Sequence, residues 1–163
     1  MATTTAATIR TRLAELVAAI NVGDPGPAFR EHRYDQDGDF IAWAEQHPDA
    51  ALRRFSLRLE VKDADPFVMS VTEEWREAWM TLLIAYPRTN RFGALNALGL
   101  DDAIRDDQRL IESTIGARGN HNLAGLATVM PQPTEAISWA AGESCDFLLV
   151  SQRLGYWADS TAY

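Results

Sequence analysis

Ile9, Leu13, Leu16, Val17 and Ile20 recur at i, i+4, i+7, i+8 and i+11, so they line one stripe of an α-helix and leave Arg12 and Glu15 on other faces. The spacing predicts a helix over residues 5 to 20. Gly23, Pro25, Gly26 and Pro27 stop it, because glycine populates left-handed backbone and proline has no amide hydrogen to continue the ladder. Residues 28 to 34 make a short strand candidate bounded by Phe29 and Tyr34, and the acidic turn Asp35 to Asp39 follows. Phe40 to Gln46 suits a short helical turn that Pro48 and Asp49 break. From Leu52 to Val61 the period becomes two: Phe55, Leu57, Leu59 and Val61 alternate with Arg54, Ser56, Arg58 and Glu60. That predicts a strand with one apolar face and one face that is wet or meets a partner.

Trp75 and Trp79, at i and i+4, suit a helix, whereas Trp79 to Tyr86 is a nearly continuous apolar run closed by Pro87. A strand from about Glu77 is the reading adopted, with a buried helix as its competitor. Arg88 to Gly99 reads as a loop. A helix over 101 to 115 follows, capped by Asp101 or Asp102, with Ala103, Ile104, Leu110, Ile111 and Ile115 on its apolar side and Gly116 as its left-handed stop. Asp107 and Gln108 interrupt that stripe. Residues 117 to 133 read as an extended segment or loop, and Thr134 to Ala141 and Cys145 to Tyr156 flank Gly142-Glu143-Ser144 as a hairpin. The second arm is apolar on both faces, as in a strand that is central or covered on both sides. The sum is an α+β fold: a mostly antiparallel sheet with helices at about 5–20 and 101–115 on one face and a C-terminal β-hairpin, in a single domain of 163 residues.

Charge narrows the function. A net charge of -8 and a pI near 4.8 disfavour a nucleic-acid binder, whose free energy comes from clustered Lys and Arg releasing counterions. Of 15 basic residues only Lys62 is lysine. GC-rich codon usage is the simpler account of that skew; the other is interface composition, in which arginine is enriched and lysine depleted. The lone Cys145 excludes an internal disulfide and a multi-thiolate zinc site. No stretch approaches the roughly 20 apolar residues that span a bilayer, and residues 1 to 13 lack the apolar core of a signal peptide.

Candidate chemistry is sparse. Asp35, Asp37, Gly38 and Asp39 resemble a calcium loop, but with Asp35 as first ligand the glycine should fall at Phe40 and the bidentate acid at Gln46, so a solvated turn is preferred. Ser144 lacks the second flanking glycine of a nucleophile elbow, since Asp146 stands there. Cys145 with His121 would make a thiolate pair, yet a lone strand cysteine is more often packing. His32, His47 and His121 sit on separate segments with no spacing for a shared metal, and each reads as a surface or turn histidine. No catalytic, cofactor or metal residue is assigned, and the protein reads as a non-enzyme. Five tryptophans are many for this length, and three of them are assigned to the core. Trp75 with Arg76, the wet-face arginines Arg54 and Arg58, and Trp157 are the predicted interface residues.

The order of segments resembles that of the tail-terminator, or tail-completion, proteins of long-tailed bacteriophages. The resemblance is carried by the helix Thr8 to Ile20, the strand Leu52 to Val61, the run Trp79 to Pro87, the helix beginning Asp101-Asp102-Ala103-Ile104-Arg105 and the hairpin across Gly142. It implies a structural virion protein assembled in the host cytoplasm, a ring of identical copies, hexameric in that family. Such a ring caps the tail tube at its head-proximal end, meets the tube protein on one side and the head-closure connector on the other, and passes DNA only as cargo, with no membrane. Residues 35–51 and 120–133 have no counterpart in the resemblance. The alternatives are a head-closure or neck subunit of the same particle, and a small α+β ligand-binding domain or enzyme using a pocket near Trp75 and His121.

Overall fold

The computed structural model describes residues 4–23, 26–33, 39–61, 67–68, 73–88, 97–117, 123, 126–130, 140–141 and 143–159. The first helix, α1, runs Ala6–Ala18. It starts where Thr5 and Thr8 cap each other: the Thr8 amide donates to Thr5 Oγ1 at 3.2 Å and the Thr5 amide to Thr8 Oγ1 at 3.0 Å. Of the predicted stripe, Ile9, Leu13, Leu16 and Val17 are buried in the helix together with Ala14, and Ile20 is buried just past its end.

A two-residue strand, β1 (Arg30–Glu31), leads to two short helices, α2 (Phe40–Gln46) and α3 (Pro48–Ala51). Asp39, the last acid of the supposed calcium loop, caps α2 by accepting from the Ala42 amide at 3.0 Å. Asp35 to Gly38 lie outside the described residues. Pro48 ends α2 as predicted, but it also opens α3 from the first-turn position, where its missing amide hydrogen costs nothing.

The sheet is built around two strands of 15 residues each, β4 (Glu73–Pro87) and β7 (Cys145–Asp159), paired antiparallel over their whole length. On the other edge of β4 lie β2 (Arg54–Val61) and then β3 (Phe67–Val68), both antiparallel to it. On the other edge of β7 lie β6 (Ala140–Ala141) and β5 (Thr128–Met130), also antiparallel. β1 joins β2 in the one parallel pairing among the described residues. The α+β architecture therefore stands, and β7 is a central strand as its two apolar faces predicted. The hairpin's second arm is in place, whereas Thr134 to Trp139 and Gly142 of its first arm and turn lie outside the described residues.

The strand expected over 28–34 shortens to Arg30–Glu31, the strand expected from Leu52 starts at Arg54, Gly116 is not left-handed, and two element starts move by four residues. β4 starts at Glu73, not Glu77, because its polar first residues are held by pairing with β7, which no local pattern reveals. The last helix, α4, runs Ala97–Ile115, so Asp101 and Asp102 lie inside it and cap nothing. Aspartate is favoured at caps but is tolerated on an exposed helix face, and both residues are exposed.

Side chains alternate across the sheet. Phe55 and Leu57 of β2, Ala78, Met80, Leu82, Ile84 and Tyr86 of β4, and Leu148, Val150, Leu154, Tyr156 and Ala158 of β7 all face α1 and α4, which close the main core with Ile9, Leu13, Val17, Ile104, Ile111 and Ile115. The opposite face carries a smaller cluster at one end, where Phe40 and Ala44 of α2 and Ala51 of α3 cover Ala85, Cys145 and Phe147.

Asp107, the interruption in the α4 stripe, is 1% exposed and does not break the packing. Its carboxylate accepts two bonds from Arg53, at 2.8 Å from Nε and 2.9 Å from the second guanidinium nitrogen, and one from the Tyr86 hydroxyl at 2.8 Å. Arg53 is itself buried and holds left-handed backbone, φ 56°. Its amide donates to the Ala85 carbonyl at 3.0 Å and its carbonyl accepts from the Arg30 amide at 3.1 Å. One residue thus ties α4, β1 and β4 together at the start of β2, and fixes where the sheet sits relative to its helices.

Candidate interaction surface

Beyond the patch covered by α2, no described element covers the second face of the sheet, and the register determines which side chains lie beside one another on it. Ser56, Leu83 and Leu149 form one row across β2, β4 and β7; Arg58, Thr81 and Ser151 form the next; Glu60, Trp79 and Arg153 the third. Glu77 and Gly155 follow, and Trp75 stands directly opposite Trp157. The two indoles meet edge to face, with ring centroids 5.1 Å apart and planes at 65°. Arg153 pairs with Glu77, Nε to Oε2 at 3.0 Å with a second contact between the same groups. Arg58 is exposed and forms no ion pair among the described residues.

The predicted interface residues divide accordingly. Trp75, Trp157, Arg58 and Arg54 share this open face. At its covered end Arg54 lies over the Trp43 ring, 5.3 Å from the centroid. Arg76 is on the opposite, helix-bearing face, across from Tyr156, because it is one residue out of phase with Trp75. Trp79 was not among the predicted interface residues, yet its odd position in β4 puts it in the middle of the face. Of the tryptophans in the described residues, Trp43, Trp75 and Trp79 are half-buried and Trp157 is 39% exposed, so the assignment of three to the core is corrected. Their rings lie on the second face and on α2 instead of between sheet and helices. Trp139 lies outside the described residues.

One hollow of about 220 Å³ opens on this face beside Arg58, lined also by Asp39, Phe40, Ile41, Ser56, Thr81, Leu83 and Leu149. Another, about 110 Å³, lies where Trp75 and Trp157 meet Thr4, Leu126, Ala127 and Tyr156, and so is not confined to this face. Both fall short of the roughly 300 Å³ at which small-molecule pockets begin. His121, the proposed companion of Trp75, lies outside the described residues.

Cys145, Glu45, Ser144 and the two described histidines sit in packing and turn contacts. Cys145 is buried, with its thiol 3.4 Å from the Ala44 carbonyl. Burial first, and then the negative charges of Glu45 and Asp146, push its pKa up to about 12, which keeps the sulfur protonated and unreactive. Glu45 accepts from the amides of Ser144 at 2.6 Å and Cys145 at 3.1 Å, so α2 holds the turn into β7. Ser144 therefore presents a backbone amide to an acid, with no elbow geometry. His32, expected at the surface, is 2% exposed, with ring centroids 4.8 Å from Trp43 and 5.2 Å from Phe40. His47 does lie at the surface, where it ends α2 and stacks on the other side of Trp43 at 5.5 Å.

No helix among the described residues is long and apolar enough to cross a membrane, and no group of three or more His, Cys, Asp or Glu among them could hold a metal ion. The chain matches no family model and no curated protein.

Proposed function

We propose that this chain is a structural subunit of the tail-terminator type, which assembles with copies of itself into a ring that caps the tail tube of a long-tailed bacteriophage and joins it to the head-side connector. The observation that carries the reading is the sheet with one face packed against α1 and α4 and the other covered by no described element beyond α2, with Trp75, Trp79, Trp157 and Arg58 along it. Tryptophan and arginine are the residues that anchor protein interfaces, and a row of them on a sheet face, with Trp157 and Arg58 exposed and Trp75 and Trp79 half-buried, is more readily accounted for by a protein partner than by solvent. The short outer strands β1 and β5 fit the same reading, since neighbours in a ring cover open sheet edges. The acidic composition suits a lumen through which DNA passes without adhering.

Native mass spectrometry and negative-stain imaging of the full chain, alone and with purified tail tubes, test the proposal. Closed rings, or rings that form on tube ends, are the expected result. A strict monomer that ignores tubes overturns it.

A further inference from the structure

Granting the homomeric ring, the charges and dimensions of two surfaces point to how its copies meet. The open lane from Leu83 to Trp75 covers eight residue steps of β4, roughly 27 Å at about 3.3 Å per residue. Helix α4 has 19 residues, and at about 1.5 Å per residue it is roughly 28 Å long. The two surfaces lie on opposite sides of the molecule: α4 packs its Ile104, Ile111 and Ile115 toward the sheet and exposes Asp101, Asp102, Arg105, Asp106 and Arg109 on its outer side.

At one end of each surface the charges run in complementary order. Along the lane Arg58 comes first and Glu60 two residues later, about 7 Å on; neither forms an ion pair among the described residues. Along the helix Asp101 and Asp102 come first and Arg105 follows, about 5 Å on. We infer that the lane of one copy takes the outer face of α4 of a second copy, with Asp101 and Asp102 against Arg58 and Arg105 against Glu60. Asp39 also lines the hollow beside Arg58 and caps α2 through one oxygen, and it forms no ion pair with Arg58. A contact between the front of one copy and the back of the next is head-to-tail, and such contacts close into rings when the rotation between copies permits.

Charge reversal tests the pairing. Arg58→Glu, the double variant Asp101→Arg/Asp102→Arg, and all three changes together are compared with the wild type by native mass spectrometry over a concentration series, with circular dichroism confirming that each is folded. The expected result is that each reversal alone raises the concentration needed for assembly at least tenfold and the combination restores it. Arg58→Ala, which adds no charge, should give a smaller loss in the same direction. If either reversal leaves rings intact, or both break them and the combination does not restore them, the pairing is wrong while the ring stands. Rings that persist in Arg58→Glu but no longer bind tubes would assign the lane to the tube protein and also overturn it. A wild type that never assembles removes the ring itself.

Discussion

At the scale of single residues, the Arg53–Asp107 pair sets the largest stakes. Two opposite charges have been taken almost wholly out of water, and the cost is offset by two-point geometry with the guanidinium and a third bond from Tyr86. Removing one partner leaves the other charged and buried. Asp107→Ala is therefore expected to lower unfolding stability by about 3–5 kcal/mol, read as a fall in the urea midpoint with little change in slope. Tyr86→Phe removes the hydroxyl's bond to the charged Asp107 acceptor, and the loss of that bond should cost about 1.5–3 kcal/mol. Equal losses from the two variants would mean that the ion pair contributes no more than the hydroxyl. Cys145 gives a pH signature. Its folded pKa of about 12 lies above the ordinary value of 9.0, so the unfolded thiol ionises first as pH rises. Its contribution to stability is intact below pH 9 and is lost progressively between pH 9 and 12. Cys145→Ala should flatten that part of a stability–pH curve, and in the wild type the thiol should resist alkylation at pH 8 until the chain unfolds.

At the scale of elements, the join between α2 and β7 is a local device with a local readout. Glu45 accepts the two amides that open β7, and Glu45→Ala leaves both without that acceptor. Amide hydrogen exchange at Ser144 and Cys145 should accelerate by more than tenfold, while exchange in the middle of β4 stays slow. Uniform acceleration throughout the sheet would show that α2 supports the whole fold instead. The elements themselves were legible in the sequence wherever burial is one-sided: α1 through its stripe, β2 through its alternation, β7 through two apolar faces. They were illegible where pairing, not pattern, makes the structure. Glu73 to Arg76 are extended because β7 lies alongside, and Asp101-Asp102 imitates a cap inside a helix that had already begun. Asp107 carried a usable signal: a charged residue three after Ile104 and four before Ile111 lies on the buried stripe, and such a residue either breaks the helix or finds a buried partner. The sequence could not show that the partner was Arg53, which the sheet brings into reach from a distant segment. Trp75, Trp157 and Arg58 were recognisable by residue type, but that they share a face with Trp79, and that Arg76 does not, follows from register alone.

At the scale of the whole molecule, a chain of net charge -8 must overcome mutual repulsion before its copies associate, so the attractive surface has to be specific and partly apolar. The aromatic end of the open lane meets that need, and Trp157 separates assembly from folding. In the isolated subunit it is 39% exposed, and its main partner is the Trp75 ring, a contact of about 0.5–1.5 kcal/mol. If a neighbouring copy covers it, truncation also removes an interface anchor, for which losses of about 2 kcal/mol or more are typical. Trp157→Ala should then lower the subunit's own stability by no more than about 1.5 kcal/mol while weakening assembly by more than tenfold, measured respectively by urea unfolding of the dissociated chain and by sedimentation across a concentration series. The reverse result, normal assembly from a less stable subunit, would make the Trp75–Trp157 pair an element of packing and leave the lane without its aromatic anchor. That outcome would leave only Trp79, Leu83 and Leu149 as apolar contacts of the lane beside its charges, and exposed ion pairs of about 0.2–1 kcal/mol each are too weak to bind strongly acidic subunits into a ring by themselves.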